Sequence, residues 1–319
     1  MFDVTALGEV LIDFTDRGTD AESGMRLFEQ NPGGAPANVA AAVCCLGGKS
    51  AFIGRVGADM HGEFLIQTLS SLGVDVSGVS IDPKHFTTLA FVSLSPSGER
   101  SFSFARKPGA DTQLRCADIP DALLSQSRIL HFGSLSMTDE PACSATRYAI
   151  ERARNFHAII AYDPNDRPLL WPSRAYARDT MRSVLPSVDV IKLSLEETAL
   201  LTDTADPVLA AARLVQSGIQ IIVITMGAAG AIVRIASDTD CRRVPAFPSP
   251  VVDTTGAGDA FWGGFLYCLS KCGKQPEQLS LDEAAAFVRY GNAVAACSVR
   301  HRGAIPSLPS AEDVAILLK

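Results

Sequence analysis

Along the chain, short runs of β-branched and apolar residues alternate with longer segments whose apolar positions recur at helical spacing. This is the pattern of a parallel sheet joined by crossover helices. Strands are predicted over residues 4–12, 51–56, 129–132, 158–162, 188–193, 219–225 and 231–235. Several are apolar almost throughout, as in Ile219-Gln220-Ile221-Ile222-Val223-Ile224. A strand buried on both faces reads this way and calls for helices above and below the sheet. Helices are predicted over 37–46, 62–72, 141–155, 207–217 and 259–271, three of them followed by Gly47, Gly73 and Gly218 as C-caps. Two segments break the alternation. Residues 88–95 and 101–106 read as strands joined by the turn Pro96-Ser97-Gly98-Glu99-Arg100, and 14–30 is polar and irregular. A hairpin and a second insertion leaving an α/β body predict a small β-rich lid beside the strand ends, where ligands of such sheets bind.

A length of 319 residues fits two domains, or one large α/β domain with an appendage, at about 150 residues per domain. Lys plus Arg is 28 against 35 for Asp plus Glu, a net charge of −7 without a long basic run, which argues against a nucleic-acid partner. Apolar residues make up 47%, and the 25 glycines and 18 prolines are spread along the chain, so a disordered or collagenous polymer is excluded. The eight cysteines contain no C-x-x-C pair and read as reduced, buried thiols rather than a disulfide or metal framework. No apolar stretch reaches the roughly 18 residues of a membrane span, so no membrane partner is expected. The N-terminus lacks the basic start and cleavage site of a signal peptide, and a cytoplasmic protein is expected.

The most informative stretch is Asp253-Thr254-Thr255-Gly256-Ala257-Gly258-Asp259-Ala260-Phe261-Trp262-Gly263-Gly264-Phe265. A turn of small residues runs straight into a helix. The N–H groups of Gly256, Ala257, Gly258 and Asp259 can therefore converge at the positive end of the helix dipole and form an anion hole suited to phosphate. Asp259 then stands where a phosphoryl group would bind, an odd place for a carboxylate unless it takes a proton from an attacking hydroxyl. A plain first-turn residue favoured by the dipole is the alternative. No G-x-x-x-x-G-K-[ST] run is present, and Phe261 fills the third glycine position of a dinucleotide fingerprint, which disfavours hydride transfer.

This run resembles the second signature of the PfkB (ribokinase-like) carbohydrate kinases. Gly33-Gly34-Ala35-Pro36-Ala37-Asn38-Val39-Ala40, continuing through Leu46-Gly47-Gly48 to Gly54-Arg55-Val56-Gly57-Ala58-Asp59, resembles the first. The two stand in the family's order, and the resemblance spans essentially the whole chain. It implies an α/β, ribokinase-like three-layer α/β/α sandwich with a mostly parallel central sheet and a small β-sheet lid. The main domain would take 1–12, 31–85 and 112–319, and the lid 13–30 and 86–111.

The resemblance also implies roles. Asp259 would be the catalytic base, with the amides of Gly256, Ala257 and Gly258 holding the charge that builds on the transferred γ-phosphoryl. Gly33, Gly34 and Asn38 look like sugar contacts; a glycine turn opening a helix with a solvated Asn38 is the alternative. Asp13, read as the end of the first strand, resembles the family's carboxylate that accepts bonds from sugar hydroxyls, and would otherwise be a turn residue. Arg106 in Arg106-Lys107-Pro108-Gly109-Ala110-Asp111 and Arg167 in Tyr162-Asp163-Pro164-Asn165-Asp166-Arg167 look like the fructokinase branch and its relatives the 2-keto-3-deoxygluconate kinases. Each could reach the sugar or pair with a surface carboxylate.

For ATP, the resemblance points to Lys192, Ser194, Thr225, Gly227, Gly230 and Asn292, together with Gly256 and Gly258. The segment 225–230 equally reads as a plain hairpin turn. Ser194-x-x-Glu197 stands where many ribokinase relatives carry Asn-x-x-Glu, an element associated with Mg²⁺ and its waters, and it also fits a capping box. Mg²⁺ follows from the chemistry of ATP phosphates. A K⁺ site would use Asp253 and carbonyls of Thr255, Ser298, His301, Gly303 and Ser307. The activity implied is an ATP-dependent kinase acting on a terminal sugar hydroxyl, with fructose first. A 2-keto-3-deoxygluconate kinase, a ribokinase or nucleoside kinase, and a non-catalytic sugar sensor are the alternatives. As in relatives, a hydrophobic lid face could mediate a homodimer.

Overall fold

The computed structural model of the protein describes residues 1–94 and 100–319. The expected turn at Pro96-Ser97-Gly98-Glu99 lies outside the described residues. Thirteen strands are present among them: β1 (Phe2–Leu7), β2 (Leu11–Thr19), β3 (Arg26–Gly33), β4 (Ser50–Gly57), β5 (Asp75–Asp82), β6 (Leu89–Leu94), β7 (Arg100–Ala105), β8 (Ser127–Gly133), β9 (Ile159–Asp163), β10 (Val190–Ser194), β11 (Ile221–Thr225), β12 (Ala231–Ile235) and β13 (Arg242–Val244). Nine form one sheet in the order β13-β12-β11-β10-β9-β8-β1-β4-β5, parallel except near one edge, where β12 pairs antiparallel with both β11 and β13. The other four form a separate sheet in the order β3-β2-β6-β7.

Alternation along each central strand sends its side chains to two cores. Ile129, Ile159, Ala161, Val190, Ile221 and Val223 meet Val39 and Val43 of the helix Ala35–Cys45, Phe261 and Phe265 of Ala257–Lys271, and Leu281 and Val288 of Leu281–Ser298. Their neighbours Leu130, Ile160, Ile191, Leu193, Ile222 and Ile224 meet Ala145 and Ala149 of Ala142–Asn155, Ala177 and Met181 of Arg174–Ser183, and Ala210 and Leu214 of Pro207–Gln216. Helices thus cover both faces, and the three-layer sandwich expected of a ribokinase-like chain is the fold observed. The edge strands β5 and β13 and the helices Arg174–Ser183, Leu281–Ser298 and Ala311–Leu318 lie outside the segments predicted from periodicity.

The largest departure is at the start. Residues 4–12, read as one strand, are two: β1 ends at Leu7, the chain turns over residues 8–10, and β2 enters the small sheet, pairing with β3 and β6. Residues 14–30, read as irregular, are mostly the β2–β3 hairpin. Their polar character reflects a sheet exposed along much of its length. The cysteines form no disulfide, but only Cys143 and Cys297 are buried and Cys116 is exposed, so the expectation of uniformly buried thiols is corrected. Among the described residues no helix is long and apolar enough to cross a membrane.

Candidate active site

Strands β8 to β11 run parallel, so the loops following β9, β10 and β11 open on one edge of the sheet, and the helix Ala257–Lys271 begins there. Gly256 precedes this helix with φ of 74°, a left-handed conformation that glycine adopts without a Cβ penalty; a Cβ there would stand 2.6 Å from that of Ala304. No side chain caps the helix start, which leaves its first turn directed at whatever binds in front of it. The Ala257 amide is partly engaged, donating to the Thr254 carbonyl at 3.2 Å.

Asp259 lies in the first turn of this helix and is only 8% exposed. Its Oδ2 accepts a 2.7 Å hydrogen bond from Nδ2 of Asn38, and its Oδ1 a 3.4 Å bond from Nδ2 of Asn165. The first of these joins two helices that pack closely one turn further on, where a Cβ at Gly263 would stand 2.5 Å from the Cβ of Ala42. Positions 38 and 42, and 259 and 263, are each four apart and share a helix face. Small residues at 42 and 263 thereby bring 38 and 259 together. Asn38 is buried rather than solvated, and its Oδ1 has no hydrogen-bond partner.

Three cavities meet at this point. The first, about 300 Å³, is walled by Glu9, Gly34, Asn38, Asn165, Arg167, Asp253, Gly256 and Asp259, with Leu11, Asp13, Thr15, Asn31, Val92 and Phe104 contributed by the small sheet. The second, about 420 Å³, shares Asn165, Arg167, Gly256 and Asp259 with the first and adds Lys192, Ser194, Glu197, Thr225 and Gly258. The third, about 790 Å³, shares Ser194, Thr225 and Gly258 with the second and continues over Gly227, Gly230, Phe247, Val251, Phe261, Asn292, Ala295 and Val299. The result is one trench: a small chamber against the four-stranded sheet, a charged middle, and a larger apolar-walled end. Asp259 and Gly256 stand where chamber and middle join.

The electrostatics follow from this enclosure. Burial pushes the Asp259 carboxyl up to about 6, against the opposing pull of Lys192. Asp13 is also raised to about 6, first by burial and further by the charges of Asp259 and Asp253, while Arg167 acts in the opposite sense. Glu9 rises to about 7 through burial; its Oε1 accepts from the Ala35 amide at 3.2 Å and its Oε2 has no partner. Burial opposes the charge on Lys192, but Asp163, Glu197 and Asp259 outweigh it and hold the ammonium above its ordinary range.

Most expected site residues line the trench, by routes the sequence did not reveal. Asp13 is on β2 of the small sheet, not at the end of a central strand. Gly33 lies across from β2 and leaves room for the Asp13 carboxylate, since a Cβ there would sit 2.4 Å from Oδ2. Arg167 donates to Oδ1 of Asn165 at 2.6 Å and borders both inner cavities. Thr225 and Gly230 do flank a hairpin turn, between β11 and β12, and that turn also lines the apolar end. Asn292 donates to the carbonyls of Val244 and Pro245 at 3.3 and 3.0 Å. Ser194 and Glu197 form the capping box: Oε2 of Glu197 accepts from the Ser194 amide and Oε1 from the Asp166 amide, each at 2.7 Å.

Arg106 is the exception. Its guanidinium is 2% exposed and does not line the chamber. It donates at 2.8 Å each to Asp111, the Thr138 hydroxyl and the Leu135 carbonyl. The expectation that it reaches the sugar is corrected, because every side of the fork it offers is already taken by protein. Its alternative, pairing with a surface carboxylate, is met in part: the main partner, Asp111, is buried, but Nη1 also stands 3.8 Å from Oδ2 of the exposed Asp139. Glu9, Asn165 and Asp163 were not singled out from the sequence. Asn165 and Asp163 fall in the stretch quoted for its arginine, and Asn165 has φ of 43°, an uncommon value for a residue other than glycine.

Asp253 organises the other side of the helix start. Its Oδ1 accepts from the Thr255 amide and hydroxyl at 2.9 and 2.7 Å, and its Oδ2 accepts from the Gly303 amide at 3.1 Å. The His301 amide donates to the Ser298 carbonyl at 3.1 Å, and the Ser307 hydroxyl to the Ala304 carbonyl at 2.8 Å. Among the described residues no group of three or more His, Cys, Asp or Glu side chains is arranged to hold a metal.

Comparison with known proteins gives the family and the fold. The family model described as pfkB family carbohydrate kinase matches residues 1–311. A probable fructokinase-5 from Arabidopsis thaliana is 39% identical over 326 aligned residues, covering 99% of this chain and 97% of its own. A fructokinase from Xylella fastidiosa with bound ATP superposes with a TM-score of 0.91 at 34% identity, covering 100% of this chain and 98% of the other. A double-mutant fructokinase from Vibrio cholerae O395, in fructose-, ADP- and potassium-bound form, superposes with a TM-score of 0.86 at 32% identity, covering 99% and 98%.

Proposed function

The chain belongs to the pfkB family of carbohydrate kinases, and we propose that it is an ATP-dependent fructokinase that transfers the γ-phosphoryl group of ATP to the terminal hydroxyl of fructose, giving fructose 6-phosphate. The observation that carries this reading is the position of Asp259: a buried carboxylate at the junction of the first cavity and the charged middle one, beside an uncapped helix start.

In this reading fructose occupies the small chamber. Asp13 accepts bonds from its hydroxyls, Arg167 and Asn165 supply donors around its reacting end, and the unpartnered Oδ1 of Asn38 offers an acceptor. Adenosine takes the apolar end over Phe247, Val251 and Phe261, which runs the triphosphate through the middle cavity toward Gly256 and Gly258. The sugar hydroxyl then meets the γ-phosphorus with Asp259 within reach of its proton. The hydroxyl oxygen forms the new P–O bond, the bond from the γ-phosphorus to the bridging oxygen breaks, ADP leaves, and the hydroxyl proton passes to Asp259. Most of the catalytic effect comes from holding the two substrates in line and from the helix-end amides and Lys192 facing the phosphoryl oxygens. Closure of the lid keeps water from competing for the phosphoryl group.

Mg²⁺ accompanies the ATP phosphates and neutralises them. Glu197 suits an outer position for it, since both its oxygens already accept backbone N–H bonds and further contact would run through water. A K⁺ ion suits the turn and loop that Asp253 ties together, where the donors are the Asp253 carboxylate and the carbonyls of Thr255, Ser298, His301, Gly303 and Ser307. The lid exposes Leu27, Phe28 and Phe91, with the Phe91 ring stacked on Phe14 and edge-on to Phe28; this apolar surface supports a homodimer through the lid, which sedimentation would test. A cytoplasmic location agrees with the ATP supply and with eight cysteines left unpaired.

Asp259→Asn tests the assignment. Turnover should fall by about 1,000-fold or more while fructose and ATP still bind in calorimetry. Near-normal turnover would remove Asp259 as the base. A panel of fructose, 2-keto-3-deoxygluconate, ribose and a nucleoside tests the acceptor, and a clear preference for any but fructose would overturn that part of the reading. An intact base and anion-binding turn weigh against a non-catalytic sensor.

A further inference from the structure

Behind the anion-binding helix end lies a pair of buried opposite charges. Asp163 closes β9, Lys192 sits on the adjacent β10, and Nζ to Oδ2 is 2.5 Å with side chains 7% exposed for Lys192 and 2% for Asp163. Lys192 lines the middle cavity with Gly256, Gly258 and Asp259, and its Nζ would stand 3.2 Å from a Cβ at Gly258. Asp163 lines none of the three cavities of the trench, and its second oxygen, Oδ1, is buried without a hydrogen-bond partner. The pair is therefore directional: the cation forms the wall and the anion stands behind it.

Stability alone does not account for such a pair, because taking two ions out of water is costly and a packed apolar pair of similar volume does as well. Position is what the pair supplies. Beyond Asp163, the anionic neighbours of Lys192 are Glu197 and Asp259. An ammonium drawn onto Asp259 would neutralise the carboxylate that must accept the proton.

Resting on the base assignment made above, we propose that Asp163 is a positioning residue that holds the Lys192 ammonium beside the helix start and off Asp259, so that the cation meets the transferred phosphoryl group while the base stays free. Asp163 touches no substrate in this scheme; it acts through Lys192. The charged groups acting on Asp259 are Lys192 from β10, Asp163 from β9, Arg167 from the loop after β9, and Asp13 from β2. Beside the pair stand Glu197 and His131, the latter driven by burial down to about 4 and hence neutral.

The experiment compares Asp163→Asn, Lys192→Met and the double variant in the full-length enzyme, by kcat, fructose KM and pH–rate profile. Asp163→Asn should lower kcat by about 100-fold, the scale of losing one preorganised charge, with fructose KM within about threefold. Its acid limb should move to lower pH as Lys192 swings onto the base, whereas Lys192→Met should move that limb to higher pH. Because the proposed role of Asp163 in turnover runs through Lys192, the double variant should match Lys192→Met in kcat, while its acid limb should lie lower for want of the Asp163 charge. Asp163→Asn within about threefold of the parent, or a double variant about tenfold below Lys192→Met, would overturn the proposal. Should Asp163→Asn fail to fold, the double variant, which buries no charge at this place, decides by the same comparison with Lys192→Met. Failure of the base assignment itself is read separately, as turnover retained by Asp259→Asn.

Discussion

Nδ2 of Asn38 lies 2.7 Å from Oδ2 of Asp259, a buried hydrogen bond that ties the glycine-rich turn near one end of the chain to the one near the other. It orients the carboxylate and leaves the Asn38 carbonyl oxygen without a partner at the chamber wall.

Asn38→Ala should therefore reduce kcat by about 10- to 100-fold, because the carboxylate loses the donor that fixes it. Fructose KM should rise as well if the sugar is held as proposed. Steady-state kinetics on the purified variant checks both, and unchanged kcat would remove Asn38 from the site.

The pH–rate profile should have its acid limb near 6. Asp259 and Asp13 both titrate at about 6, so below that value the base is protonated and one sugar-binding acceptor is lost. A limb lying near 4, the ordinary carboxylate range, would contradict the burial of both groups.

Asp259→Asn should stabilise the protein at neutral pH. The carboxyl is raised from 3.8 unfolded to about 6 folded, so between these values the native state holds more protons and the group's contribution to stability falls as pH rises. Above that window the buried carboxylate costs up to about 3 kcal/mol, which the amide removes. Thermal unfolding should show a higher Tm for the variant at pH about 7.5, and the gain should vanish near pH 4.

Gly33→Ala should weaken fructose binding more than it slows turnover. The added methyl would meet Oδ2 of Asp13 at 2.4 Å and push the carboxylate from its place. A rise in fructose KM of about tenfold with ATP KM unchanged is expected; parallel changes in both would point to a general disturbance instead.

At Gly256, a Cβ meets Ala304 and the left-handed φ is strained for alanine. Gly256→Ala should cost about 1–3 kcal/mol in chemical unfolding, and kcat should fall because the helix start moves.

Some of this organisation is local in origin, and the amino-acid order was enough to reveal it. Apolar runs such as 219–225 declare a strand covered on both faces, glycines after the last apolar position end the helices, and the turn Thr255-Gly256-Ala257-Gly258 announces an anion site, because each depends on residues a few positions apart. What depends on distant partners was invisible. Nothing near Leu7 says that the next strand will leave for another sheet and carry Asp13 with it. Nothing near Arg106 says that Thr138 and the Leu135 carbonyl will join the neighbouring Asp111 in consuming its donors, nor does anything near Asp163 reveal Lys192. A side chain's burial, its partner and its proton affinity are set by which segments pack against it, and that is decided only when the two cores close around the sheet.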